Sequence, residues 1–99
     1  MKANVYFTRE ITPEKVVELY RALGVELPGK VAVKVHSGEK GNQNFLRPEF
    51  WRPMVEAVHG TVVECNTAYG DAAGGVRDHT ESHRRLLEEH GWTKYFNVD

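Results

Sequence analysis

Ninety-nine residues, 40% hydrophobic and 27% charged, are expected to form a single domain over residues 1–99, with a modest core that buries roughly two-thirds of the unfolded surface. A formal charge of −1 gives no basic footprint for nucleic acid, and no apolar run approaches the roughly 18 residues of a membrane span. Cys65 is the sole cysteine, which excludes an internal disulfide, a four-cysteine zinc site and an iron–sulfur cluster held by this chain alone.

Arg9–Glu10 arrives too early for a signal peptide, so a cytoplasmic protein is expected. Asn4–Thr8, with branched or aromatic Val5, Tyr6 and Phe7, reads as a first strand. Thr12 then caps a helix with Pro13 at its first position. Val16, Leu19, Tyr20 and Leu23 line one helical face, and Gly24 is the stop. Lys30–His36 alternates Val31, Val33 and Val35 against Ala32 and Lys34, a second strand with one buried face, and Ser37–Asn44 is a loop.

A second helix is expected from about Pro48 to Val58, carrying Trp51, Met54, Val55 and Val58. Pro53 inside it implies either an irregular first turn or a start near Pro53. Gly60 ends it, Thr61–Cys65 is a third strand, and Asn66–Arg77 is a second polar, glycine-rich loop. Asp78–His90 reads as a third helix with Asp78 as a cap and Gly91 as the stop. Tyr95–Val98 is a candidate fourth strand. The order β-α-β-α-β-α-β points to a three-layer, Rossmann-like α/β unit with a mostly parallel sheet of about four strands and three helices. Three helices cannot cover both faces of such a sheet, so a partner or further chain is expected to meet the remainder.

Ligands of open parallel sheets bind beyond the carboxyl ends of the strands. Two loops leave from such ends, His36–Asn44 and Asn66–Arg77. Their candidate ligand-binding residues are Ser37, Gly38, Lys40, Gly41, Asn42, Asn66, Thr67, Tyr69 and Arg77, with the glycines letting backbone N–H groups approach an anion. His36 and Glu39 are candidate proton-transfer groups. GEKGN lacks the spacing of a phosphate-binding P-loop, no G-x-G-x-x-G follows a strand, and His36–Ser37 lies in no G-x-S-x-G elbow. His79 and His83 in HTESH have the i, i+4 spacing of a metal-chelating pair, against the competing expectation that His83 and His90 satisfy backbone groups at the core boundary. Cys65 in a strand reads as a small buried hydrophobe, and Trp51 and Trp92 as core or interface residues.

KVAVKVHSGEKGNQNFLRPEFWRPMVEAV, then TVVECNTAYG and a later R..T..H......HGW, resembles the N-terminal part of the domain of unknown function 362 family, from about Tyr6 to the end of the chain. The positions carrying the likeness are His36, Gly38, Glu39, Lys40, Gly41, Asn42, Arg47, Pro48, Asn66, Thr67, Tyr69, Gly70, Arg77, His83 and His90. Asp71–Val76 is longer than the family's short Gly-Gly link, and His79 replaces a threonine-like residue, which weakens the metal reading. The resemblance implies no catalytic roles. It implies a longer full-length architecture and a 4Fe–4S cluster elsewhere in such a protein, with no cofactor within this chain.

The expected function is therefore a unit binding a small anionic ligand or cofactor at the two loops. It would be completed by a homo-oligomeric partner or a missing C-terminal domain, with no nucleic-acid or membrane partner. One alternative is part of a redox or transfer enzyme whose active site is finished by missing chain or a second subunit. The other is an oligomerising module without a ligand.

Overall fold

A computed structural model describes residues 1–70 and 74–99; Asp71–Ala73, inside the expected second loop, lie outside the described residues. Three helices and two short strands appear in the order α1 (Pro13–Ala22), β1 (Ala32–Lys34), α2 (Pro48–Ala57), β2 (Thr61–Val63) and α3 (Thr80–Glu89), followed by a 3₁₀ turn over Trp92–Lys94. β1 and β2 pair in parallel, with Val33 opposite Val62. Val98 adds one further parallel bridge to Val62.

Each helix begins and ends for local reasons. Thr12 is extended and its hydroxyl accepts the Lys15 N–H at 3.2 Å, while Pro13 and Glu14 suit the first turn of α1. Gly24 ends it in the left-handed region, at φ +63°. α2 starts at Pro48 and carries Pro53 inside it. The Phe50 N–H reaches back only three residues, to Arg47 O at 3.0 Å, so the first turn is tightened, the first of the two expected alternatives. α3 starts one residue later than expected: His79, not Asp78, holds the cap position, and makes no side-chain cap bond.

The core explains which sheet face is covered. Val35, Phe45, Val55, Val62, Leu87 and Trp92 form one buried cluster, with Val33, Trp51, Phe96 and Val98 packed against it. α2 contributes Val55 and α3 contributes Leu87 to the same cluster. The alternating sheet positions Ala32, Lys34, Thr61 and Cys65 are exposed. The sheet is thus covered on one face, and α1 packs on α2. Gly60 lets the chain turn into β2 against β1, since a Cβ there would sit 2.6 Å from Val33 Cγ2.

Three expectations are corrected. Asn4–Thr8 pairs with no strand, because nothing brings it to the edge of β1; Val5 and Phe7 are left 88% and 79% exposed. Tyr95–Val98 shrinks to the Val98 bridge because the 3₁₀ turn after Gly91 consumes its first residues. Cys65 is exposed, not buried, because strand parity puts it on the uncovered face. The chain is α/β with a small parallel sheet. No helix among the described residues is long and apolar enough to cross a membrane.

Candidate functional site

The two expected loops leave the carboxyl ends of β1 and β2 and are joined there by a buried polar junction. Its centre is Glu64, one residue past β2, with the parity of core residue Val62 and a side chain 3% exposed. Oε2 accepts the Ser37 N–H at 2.9 Å and Oε1 accepts the Cys65 N–H at 2.9 Å. Lys34 Nζ pairs with Oε1, and Arg77 Nη1 lies 3.7 Å from Oε2. Burial pushes the Glu64 carboxyl upward, but Lys34 and the two backbone donors outweigh it and hold the pKa at about 2.

Ser37, completely buried, is the hub of the junction. Its hydroxyl lies 3.0 Å from His83 Nε2, and His83 Nδ1 lies 3.1 Å from Asn66 Oδ1. Asn66 in turn donates through Nδ2 to Thr80 Oγ1 at 3.0 Å. This orientation assigns the proton to His83 Nδ1 and makes Nε2 the acceptor. Burial lowers the His83 pKa; Arg77 pushes the same way, and Glu64 opposes it. The Ser37 carbonyl accepts Trp92 Nε1 at 3.1 Å and lies 2.8 Å from His90 Nδ1. Ser37–His83–Asn66 has the spacing of a nucleophile, base and orienting group. With Ser37 sealed from solvent, the arrangement works here as a structural clasp between the first loop and α3.

A second clasp joins the two loops directly. Arg77, 5% exposed, is bound to Glu39 through Nε at 2.5 Å and again through Nη2. The Tyr69 hydroxyl donates to the same Glu39 oxygen at 3.1 Å. Burial raises the Glu39 pKa, but the bonds from Arg77 and Tyr69 leave it below the usual carboxylate range. Glu39 Oε2 is buried without a hydrogen-bond partner among the described residues. The Thr67 N–H closes the second loop onto Arg77 O at 2.9 Å. Gly70 is forced by space, because a Cβ there would fall 1.8 Å from Asp78 Oδ2.

The outer part of the first loop remains open. The Asn42 N–H bonds to Glu39 O at 3.0 Å and Gly41 takes φ +76°, a turn that needs glycine at its third position. Gly38 has φ +87° and no room for a Cβ, which would meet the Phe45 ring at 2.5 Å. His36 Nδ1 accepts the Gly38 N–H at 3.0 Å, so a neutral His36 carries its proton on Nε2. His36, Asn42, Asn44, Phe45, Leu46 and Trp51 line a cleft of about 360 Å³. Lys40 stands exposed on the turn beside it.

The expected site residues therefore divide. Ser37, Asn66, Thr67, Tyr69 and Arg77 bond within the junction, Gly38 and Gly41 shape the turn, and His36 and Asn42 face the cleft. Glu39 belongs to the junction. His79 is exposed, 3.3 Å from Asp78, while both ring nitrogens of His83 are engaged, so HTESH is not assembled as a chelating pair. Among the described residues no three or more His, Cys, Asp or Glu side chains cluster as metal ligands. Sequence reasoning missed Glu64; its signal was a lone acid at a core-facing position in TVVEC.

Larger grooves lie elsewhere. One of about 640 Å³ runs between α1 and α2 and is edged by Glu14, Glu18 and Glu56, and one of about 540 Å³ lies beside the N-terminal segment. Neither is at the strand ends. A smaller recess of about 150 Å³ lies beside Glu64, Asn66, His83 and Asp99.

The protein is an α/β chain whose parallel β1–α2–β2 unit gathers these polar groups beyond the carboxyl ends of its strands. The family model described as Domain of unknown function (DUF362) matches residues 31–98, more than half of the chain, and the chain belongs to that family. No curated protein and no solved structure gives a significant match.

Proposed function

We propose that this DUF362 chain is a ligand-binding α/β unit that seats a small anionic molecule with an apolar or planar body in the His36–Trp51 cleft. The observation that carries the reading is the contrast between that open cleft and the closed junction behind it. Burying ion pairs costs several kcal/mol of desolvation per ion, which good geometry only partly offsets. Here the charges lie where they fix the first loop rather than where they meet solvent. Rigid support of this kind lowers the ordering cost of binding. His36 Nε2–H, the Asn42 and Asn44 amides and the nearby Lys40 ammonium offer donors, and Phe45, Leu46 and Trp51 offer apolar walls. Arg77 is excluded from the recognition set because Glu39 and Glu64 already surround it.

The test is calorimetric titration with phenyl phosphate and benzoate, and with benzyl alcohol as the neutral comparison. Both anions should bind, the alcohol at least tenfold more weakly. His36→Ala and Lys40→Ala should each weaken anion binding several-fold; Lys40→Ala should leave the melting temperature unchanged, and His36→Ala should lower it only by the loss of its bond from the Gly38 N–H. Absence of anion binding, equal binding of the alcohol, or unchanged binding in both variants would remove the assignment.

A further inference from the structure

The N-terminal thirty residues carry a segment of strand composition without a sheet, and the sheet carries an edge without a strand. In the β1–β2 ladder the Thr61 N–H bonds to Val31 O and the Val35 N–H to Val63 O, so odd-numbered residues of β1 face β2. The backbone groups of Ala32 and Lys34 therefore point to the outer edge, where no described strand pairs. Asn4–Thr8 has strand composition, forms no ladder and is largely exposed.

Apolar exposure is concentrated in the same region. Val5, Phe7, Ile11, Leu23, Val25 and Leu27 are between 48% and 88% exposed. Their summed exposed surface is on the order of 700 Å², comparable to the roughly 800 Å² that each partner gives to a standard stable interface. Val5 and Leu23 line one groove with Val16, Leu19, Tyr20, Trp51 and Met54. The shape is elongated too: a radius of gyration of 15.4 Å exceeds the about 13 Å of a compact chain this long. Gly24 and Gly29, both at positive φ with open space around them, flank the link that holds α1 away from the sheet.

We infer that a second copy of this chain covers this region, each copy adding its Asn4–Thr8 as a strand to the outer edge of the other's β1. The free strand and the free edge occur in one chain, so a reciprocal exchange satisfies both in both copies and closes as a two-fold dimer. Each sheet then reads Asn4–Thr8, β1, β2, Val98, which restores the four-strand count that the sequence pattern called for. This groove shares only Trp51 with the proposed ligand cleft, and the exchanged strand and the outer edge of β1 lie outside that cleft, so either reading can fail alone.

Sedimentation equilibrium of the 99-residue chain at concentrations up to roughly 100 µM tests it. The expected mass is twice 11.3 kDa. The double variant Val5→Pro, Tyr6→Pro removes two backbone donors from the exchanged strand and should raise the dimer dissociation constant at least tenfold, with an unchanged far-UV circular dichroism spectrum. A wild-type monomer over the whole range overturns the inference, including one in which the strand folds back onto its own β1. A dimer insensitive to the two prolines overturns it as well.

Discussion

Residues 31–98 and the thirty before them are built from equally clear patterns and reach opposite states. The first segment holds nearly every buried residue, two polar clasps and the family match. The second has a well-capped amphipathic helix with one buried residue, Val17, and leaves its apolar stripe along an open groove. Local pattern secures the element, as α1 demonstrates, but burial requires a surface to pack on. That surface exists around Val62 and Trp92 and is missing beside Asn4–Thr8.

Glu64 carries the largest share of this difference. Glu64→Ala leaves Arg77 and Lys34 short of a partner and two backbone N–H groups without an acceptor, and should cost about 3–5 kcal/mol. That corresponds to a fall in melting temperature of more than about 10 °C. A loss below about 1 kcal/mol would mean that the junction is wet and the contrast with the N-terminal region is one of shape alone.

Two glycines differ in the same way. Gly38 and Gly24 both have positive φ, but a Cβ at Gly38 collides with Phe45 whereas at Gly24 it meets open space. Gly24→Ala should cost about 1–2 kcal/mol for the left-handed backbone alone. Gly38→Ala should cost about 1–3 kcal/mol more because the packed ring must move. Urea unfolding of the two variants checks the difference, and equal losses would remove the packing argument at Gly38.

The smallest effect is the pH dependence. His83 is depressed in the folded state from its ordinary 6.5, so the unfolded chain takes up that proton first. The associated stability is complete above about pH 6.5 and falls as the pH drops below it. Glu64 titrates at about 2 when folded against an ordinary 4.5, so its contribution is complete above 4.5 and is lost as the pH falls toward 2. Urea midpoints at about pH 8, 5.5 and 3.5 should decrease in that order. A flat profile would contradict the assigned protonation states.

All three helices were legible from spacing and glycine stops, with the cap legible only at Thr12, and β1 and β2 from branched alternation. Asn4–Thr8 has the same local signal, but strand pairing is a long-range event that composition does not encode. The candidate loops were legible because both leave carboxyl strand ends. Their division of labour was not, since Ser37 and Arg77 look like surface loop residues until Trp92, His83 and Glu64 close over them. Cys65 was misread for a related reason: strand parity was clear, but not which face would stay uncovered.

The most direct test of the account is to follow backbone and Trp51 indole resonances by nuclear magnetic resonance while phenyl phosphate is added. The account predicts saturable shifts confined to His36, Lys40–Asn44, Phe45 and Trp51, with the Ser37–His83–Glu64 junction unmoved. Shifts centred on Glu64, His83 and Asp99, or on α1, would place the ligand elsewhere and contradict the division between a closed junction and an open cleft.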